Sequence, residues 1–286
     1  MLVNLKEILQ IAEERKIAIG MFNATGLESI QAIVDAAVEL NMPVIIAHAE
    51  VHNIYNDIEI IASVVLPLAK KVSIPICLHL DHGTSLEMIK RAIELGFTSV
   101  MYDGSHLPLG ENIKNTKKVV EMAHKFNISV EGEVGRLVSG EAGDASKLDN
   151  NLSPSDYHTR LDEAIRFVDE TNVDALAIAF GTNHGFYIET PKLDFNVIKT
   201  IKDAVQIPLV MHGGSGISKE DIHRSIDLGI RKINYYSYMS KAGYDEAKKI
   251  IFENKTNYYH DIAWNARKAM KQNVLDAIQV FSKKEL

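Results

Sequence analysis

The feature that most constrains this chain is an end-to-end alternation of short β-branched runs with longer amphipathic stretches, the pattern left by βαβ units of a parallel sheet. The strand candidates occupy residues 18–23 (AIGMFN), 43–49 (PVIIAHA), 75–81 (PICLHLD), 99–104 (SVMYDG), 129–135 (SVEGEVG), 175–181 (ALAIAFG), 208–214 (PLVMHGG) and 232–237 (KINYYS). Between them apolar residues recur at helical spacing: Leu27, Ile30, Val34, Ala37 and Val38, then Ile89, Ala92 and Ile93, then Ile222, Ile226 and Leu228. Eight such units with both faces covered fit a closed TIM barrel better than an open sheet. The segment from Asn257 to Leu286 reads as an extra C-terminal helix beyond the eighth unit.

Composition agrees with that α/β reading. At 286 residues and 46% hydrophobic content, the chain can bury a large core, and residues 1–286 are expected to form a single barrel domain. A formal net charge of -7 argues against nucleic acid as a partner, although local basic clusters can still hold a phosphate. The lone Cys77 has no cysteine to pair with inside the chain, which suits a reducing compartment. No apolar run is long enough to span a bilayer, and the first residues lack the charged-then-apolar order of a signal peptide. A cytoplasmic location without membrane attachment is the expectation.

His82, His184 and His212 each stand just past one of these apolar runs, and each is followed by glycine. Neutral imidazole is a common ligand of divalent metals, and three of them leave coordination positions open for chemistry. Each histidine alone would as readily be a buried ring satisfied by backbone carbonyls; three at one end of the barrel favour a metal. Asp81 stands directly beside the first, where a carboxylate could move a proton or merely orient His82. Successive strand residues point to opposite sides, so Asp81 and His82 share a site only if the chain bends there, and Gly83 permits the bend.

Asn23, Asp81, Asp103, Glu133, Gly181, His212 and Asn234 all fall at or near the C-terminal ends of their strands, the face where barrel enzymes carry their chemistry. His48, His52, His79 and His106 lie near the same rim by sequence. Residues 136–153 form a long polar stretch after the fifth strand, and connections of that length usually serve function. Gly213, Gly214 and Gly216 let backbone N–H groups approach an anion, and Ser218 can cap the helix that follows.

From MFN at Phe22 through HLDHG, YDGSH, VEGEVG, FGTNHG and HGGSG to KIN at Asn234, these motifs resemble the class II, zinc-dependent ketose-bisphosphate aldolases, in particular the shorter fructose- and tagatose-bisphosphate aldolase branch. The resemblance implies that His82, His184 and His212 bind a catalytic Zn²⁺, and that Asp81 exchanges a proton with the C4 hydroxyl of a ketose. It implies a second divalent position at Asp103 and Glu133, and leaves room for a monovalent cation. Glu141 matches the acid/base on the nucleophilic carbon. Gly185, Gly213, Gly214 and Ser215 match the groups holding dihydroxyacetone phosphate, and Asn234 and Ser237 complete that pocket, beside Asn23. The implied partner is a small phosphorylated sugar, with a homodimer or homotetramer as the implied assembly.

This chain departs from the family pattern at several places. Tyr235, Tyr236 and Ser237 follow Asn234 where a small or acidic residue and then Thr are usual. Ala49 replaces a substrate-contacting serine, and Val138-Ser139 replaces a Gly-Gly. Ser240 stands where Arg or Lys often reaches the second phosphate. Tyr235 and Tyr236 are therefore candidates for altered substrate contact, and the expected substrate is a ketose 1-phosphate with a different far end. A metal-dependent epimerase or hydrolase on the same barrel is the alternative, as is a non-catalytic partner subunit of another aldolase. The H-x-H pair common on the first strand of barrel hydrolases is absent, Phe22 and Asn23 standing there. A non-catalytic subunit would have no need to keep Asp81 together with all three histidines.

Overall fold

The computed structural model describes residues 1–136 and 157–284. Its eight strands are β1 (Ile19–Asn23), β2 (Val44–Ala49), β3 (Ile76–Gly83), β4 (Ser99–Tyr102), β5 (Ser129–Val134), β6 (Ala175–Ile178), β7 (Leu209–Met211) and β8 (Ile230–Tyr235). They pair in sequence order, all parallel, and β8 returns to β1 to close the barrel. Nearly every strand residue is buried, as expected of parallel strands with side chains on one face and helices on the other. The expected (β/α)8 TIM barrel is the observed fold.

The ring of helices comprises α2 (Leu27–Leu40), α3 (Ile58–Lys71), α4 (Leu86–Leu95), α5 (Leu109–Ala123), α6 (Leu161–Thr171), α7 (Phe195–Ala204), α8 (Lys219–Asp227) and α9 (Ser237–Phe252). The extra C-terminal helix is present as α10 (Tyr259–Phe281), lying along α2 and α9. A helix that the strand pattern does not announce, α1 (Leu5–Arg15), precedes the barrel. Asn4 and Glu7 form a capping box at its start, and Leu5, Ile8, Leu9 and Ala12 are buried. It contacts β1, β3, β5 and β8, and so closes the N-terminal end of the barrel. Among the described residues no helix is long and apolar enough to cross a membrane.

Strand register decides which side chains face the barrel axis. Asp81 pairs with Ala49, and His79 with Ala47, two residues or roughly 7 Å nearer the barrel floor. On the other side of β1, Asn234 pairs with Met21 whereas Tyr235 pairs with Phe22. Alternation therefore turns Asn234 inward and Tyr235 outward. The Tyr235 ring meets Phe22 at 5.9 Å and Phe281 of α10 at 5.8 Å, both edge to face.

Candidate active site

The bend that brings Asp81 and His82 together lies at His82 itself. Its φ is +46°, in the left-handed region, and the β3–β4 register shifts between Leu80 and Gly83. A left-handed non-glycine residue is locally costly, and such conformations gather at functional sites. Gly83 contributes otherwise than by a left-handed turn: a Cβ there would meet the Met101 carbonyl oxygen at 2.8 Å. Glycine thus allows the irregular strand to stay against β4 while both Asp81 and His82 project into the mouth.

His184 and His212 arrive on the loops after β6 and β7. Those loops are tied together: Asn183 N–H donates to the Tyr187 hydroxyl (2.8 Å), which donates in turn to the Gly213 carbonyl (2.8 Å). Gly213 has φ +66°, and a Cβ there would meet the Asn183 carbonyl at 2.2 Å, so the contact requires glycine. The result is that the His82 ring centroid lies 4.9 Å from that of His184 and 4.7 Å from that of His212. One ligand-type atom from each of the three histidines lies within 4.8 Å of the others.

Hydrogen bonds fix most of these groups. His82 Nδ1 lies 2.7 Å from Asp103 Oδ2, and Asp103 is itself held by the backbone N–H and hydroxyl of Ser105. His212 Nε2 lies 2.9 Å from Glu131 Oε1. Carboxylates accept, so each of these ring nitrogens carries a proton, and in the neutral ring, the form that binds a metal, the opposite nitrogen keeps its lone pair. Those opposite nitrogens, His82 Nε2 and His212 Nδ1, are buried without a hydrogen-bond partner, as is Glu133 Oε2. Glu133 Oε2 stands 3.4 Å from His212 Nδ1 and 3.9 Å from His82 Nδ1. Convergent orphaned acceptors are what a cation satisfies, and the donor set of imidazoles with a nearby carboxylate suits zinc.

Asp81 is clamped from two sides. Asn23 Nδ2 donates to its Oδ2 at 2.8 Å, and Asn234 Nδ2 donates to its Oδ1 at 3.3 Å. That leaves Oδ1 4.0 Å from His82 Nε2. Burial opposes ionisation of Asp81, but His82 and Lys232 outweigh it and hold the carboxyl well below the usual range. Burial alone would lower His82, yet Asp81, the bond to Asp103 and Glu133 together raise it to about 10. Burial, then the charge of Asp103, pushes Glu133 well above an ordinary carboxyl. His184 is lowered to about 3 by burial and by its two histidine neighbours. Carboxylates outnumber fixed cations here, and the negative charge that raises His82 is the same charge that would draw in a divalent ion.

The turn after β7 faces this cluster. Gly214 donates its N–H to the Asn234 carbonyl at 2.9 Å, which commits that donor to β8. Ser215 Oγ accepts from Tyr236 N–H at 3.1 Å, so its own hydroxyl proton is left to donate. Gly185 and Gly216 have φ of +95° and +88°, and Ser218 caps α8 through Asp221 N–H as its position suggests. Ser237 begins α9, and the Tyr236 ring lies 4.9 Å from that of His52, in the loop after β2. Tyr235, by contrast, is packed against α10 and is not brought to this cluster. Glu141 and the Val138-Ser139 pair lie outside the described residues.

Several placements differ from those suggested by strand position. His79 is inside the barrel rather than on the rim, its Nδ1 2.8 Å from Ser99 Oγ. His48 faces away from the barrel axis and sits near Asn53. Lys232, which the run 232–237 puts at the far end of its strand, lies within β8 and is fully buried. Its Nζ reaches Glu131 Oε2 at 2.9 Å and Asn234 Oδ1 at 2.7 Å. Glu131, equally buried, is held to about 2 because Lys232 and His212 outweigh the opposing effect of burial. The signal for both residues was the alternation Glu131-x-Glu133 and Lys232-x-Asn234, which turns each pair to the same face.

The chain matches the family model for class-II fructose-bisphosphate aldolase over residues 3–285. It is 39% identical over 284 residues to the 6-phospho-5-dehydro-2-deoxy-D-gluconate aldolase of Halalkalibacterium halodurans, covering 98% of this chain and 96% of that one. To the protein of the same name from Shouchella clausii it is 39% identical over 259 residues, covering 90% and 86% respectively. Its fold superposes on the crystal structure of the YdjI aldolase from Escherichia coli K12 with a TM-score of 0.85 and 34% identity, over 98% of this chain and 97% of that one.

Proposed function

Because this chain belongs to the class-II fructose-bisphosphate aldolase family, we propose that it is a zinc-dependent aldolase cleaving a singly phosphorylated keto-sugar acid to dihydroxyacetone phosphate and an aldehyde. The observation that carries the reading is the convergence of His82, His184 and His212 beside Asp81, itself clamped by Asn23 and Asn234. The three histidines would hold the metal, with Asp103 orienting His82 and with Glu133 beside His82 and His212. Zinc, when bound, supplies a Lewis acid that polarises the ketone and stabilises the negative charge developing as the bond breaks. Asp81 takes the proton from the hydroxyl on the carbon being released, since its ionised, clamped carboxylate is aimed into the mouth. Ser215 and the glycine turn after β7, with Ser237 after β8 and Gly185 beside them, receive the phosphate, the loops after the seventh and eighth strands being the usual place for one in this fold.

The far end of the substrate is argued from this chain's own departures. Ser240 is exposed on α9 and offers neither the charge nor the paired hydrogen bonds of an arginine. Lys241 does not substitute, because Asp245 one turn on engages its ammonium. The compound named for the relatives carries a ketone next to a phosphorylated carbon at one end, and a carboxylate at the other. Cleavage between its third and fourth carbons gives dihydroxyacetone phosphate and a three-carbon aldehyde acid, with no second phosphate to bind. Initial rates on a panel of ketose phosphates and keto-sugar-acid phosphates provide the test. The 6-phospho-5-dehydro-2-deoxy-gluconate is expected to exceed fructose 1,6-bisphosphate by at least about tenfold in kcat/KM, roughly the effect of one lost phosphate contact of 1.4 kcal/mol. A clear preference for the bisphosphate would overturn the assignment of the far end while leaving the aldolase chemistry.

Glu141 is proposed as the group that moves the proton on the nucleophilic carbon of dihydroxyacetone phosphate. Glu141→Ala is expected to slow exchange of that carbon-bound proton by about a hundredfold or more, with little change in binding. Exchange at the wild-type rate, followed by loss of label from dihydroxyacetone phosphate, would leave Glu141 without this role.

A further inference from the structure

Beneath the histidines, a buried ion pair connects two groups that the chemistry requires to be oriented. Glu131 and Lys232 are both fully buried in the barrel and meet at 2.9 Å. A buried pair of this kind is weak evidence for stability, since apolar residues of similar volume fill a core as well or better. What distinguishes this one is the direction of its remaining bonds, which run upward to side chains of the site.

Glu131 Oε1 takes the Nε2 proton of His212 at 2.9 Å. This forces the tautomer that leaves the Nδ1 lone pair facing the His82 and Glu133 side. Lys232 has only donors, so the Asn234 atom 2.7 Å from its ammonium must be the amide oxygen. The amide is thereby fixed with its Nδ2 toward Asp81 Oδ1, at 3.3 Å. Turned over, Asn234 would present its oxygen to the Asp81 carboxylate and repel it. His79 flanks the pair, its Nε2 3.8 Å from Glu131 Oε2.

The geometry points to one device: the Glu131–Lys232 pair is a positioning unit that sets the His212 lone pair for the metal and the Asn234 amide for Asp81. Ligand orientation and orientation of the proton-transferring carboxylate are then coupled through a single buried contact. This rests on the proposed roles of His212 and Asp81.

The decisive variant removes both charges at once, Glu131→Leu with Lys232→Met, which spares the fold an unpaired buried charge. It is expected to melt no lower than either single variant, to bind zinc about 10- to 100-fold more weakly in chelator competition, and to lose about 10- to 100-fold in kcat at saturating zinc. Lys232→Met alone is expected to lose less zinc affinity than the double variant while still losing kcat, because the Asn234 arm is cut whereas Glu131, though deprived of its cation, still accepts from His212. Glu131→Gln, which retains an acceptor for His212, is expected to lose less zinc affinity than Glu131→Leu. A double variant that folds and keeps wild-type zinc affinity and kcat would reduce the pair to core packing and overturn the inference. Should that variant not fold, the ¹⁵N shifts of the His212 ring in the metal-free wild-type protein decide: a proton on Nε2 supports the device and one on Nδ1 overturns it. Zinc titration and ring shifts need no substrate. An inactive wild-type enzyme would therefore count against the aldolase reading and not against the positioning unit.

Discussion

His212→Ala is expected to weaken zinc binding by well over about a hundredfold, since even partners one bond removed from a metal commonly change affinity by 10- to 100-fold. Retro-aldol activity should fall to background with it. The ring is wholly buried, with one nitrogen committed to Glu131 and the other without a hydrogen-bond partner, so alanine removes one of the three imidazole donors. Chelation of the wild-type protein should give the same loss, reversed by added Zn²⁺. Metal content by atomic emission, read beside the cleavage rate, checks both. Full activity in a preparation shown to be metal-free would end the zinc mechanism.

Asp81→Asn is expected to separate metal binding from chemistry. Zinc content should stay near that of the wild type, because Asp81 stands 4.0 Å from His82 Nε2 and is not one of the grouped histidines. Cleavage should fall by about 10²- to 10⁴-fold, the usual contribution of a positioned acid/base. The amide also has a single acceptor oxygen, whereas Asn23 and Asn234 both donate to the carboxylate, so one of these donors loses its partner. Proton exchange on dihydroxyacetone phosphate should survive better than cleavage, since it does not involve the released hydroxyl. If Asp81→Asn cleaved the ketose at the wild-type rate, the proton would have to leave by another group.

Much of the site was legible because its residues stand at strand ends, where period-two alternation and the direction of a parallel barrel together say which side chains reach the mouth. Asn23, Asp81, Glu133 and Asn234 follow from that rule alone. Tyr235 illustrates its discipline: being one residue past Asn234, it is turned outward onto Phe22 and Phe281. His82 breaks the rule through its left-handed backbone and the register shift beside it, which the sequence suggested only as a bend and ascribed to Gly83. The Glu131–Lys232 contact was hidden because it joins strands far apart in the chain, and because a lysine in an apolar strand has no local signature of its partner.

What the sequence by itself determined is therefore the barrel, its extra C-terminal helix, and the identity of the groups carried to one end. These follow from local periodicity, which each segment expresses without reference to the others. The tertiary structure alone decided which nitrogen of His82 and of His212 is free, how Asn234 is turned, and that Asp81 is clamped from β1 and β8 at once. Those outcomes depend on hydrogen bonds between residues up to 153 positions apart. Only closure of β8 onto β1 brings such partners within reach.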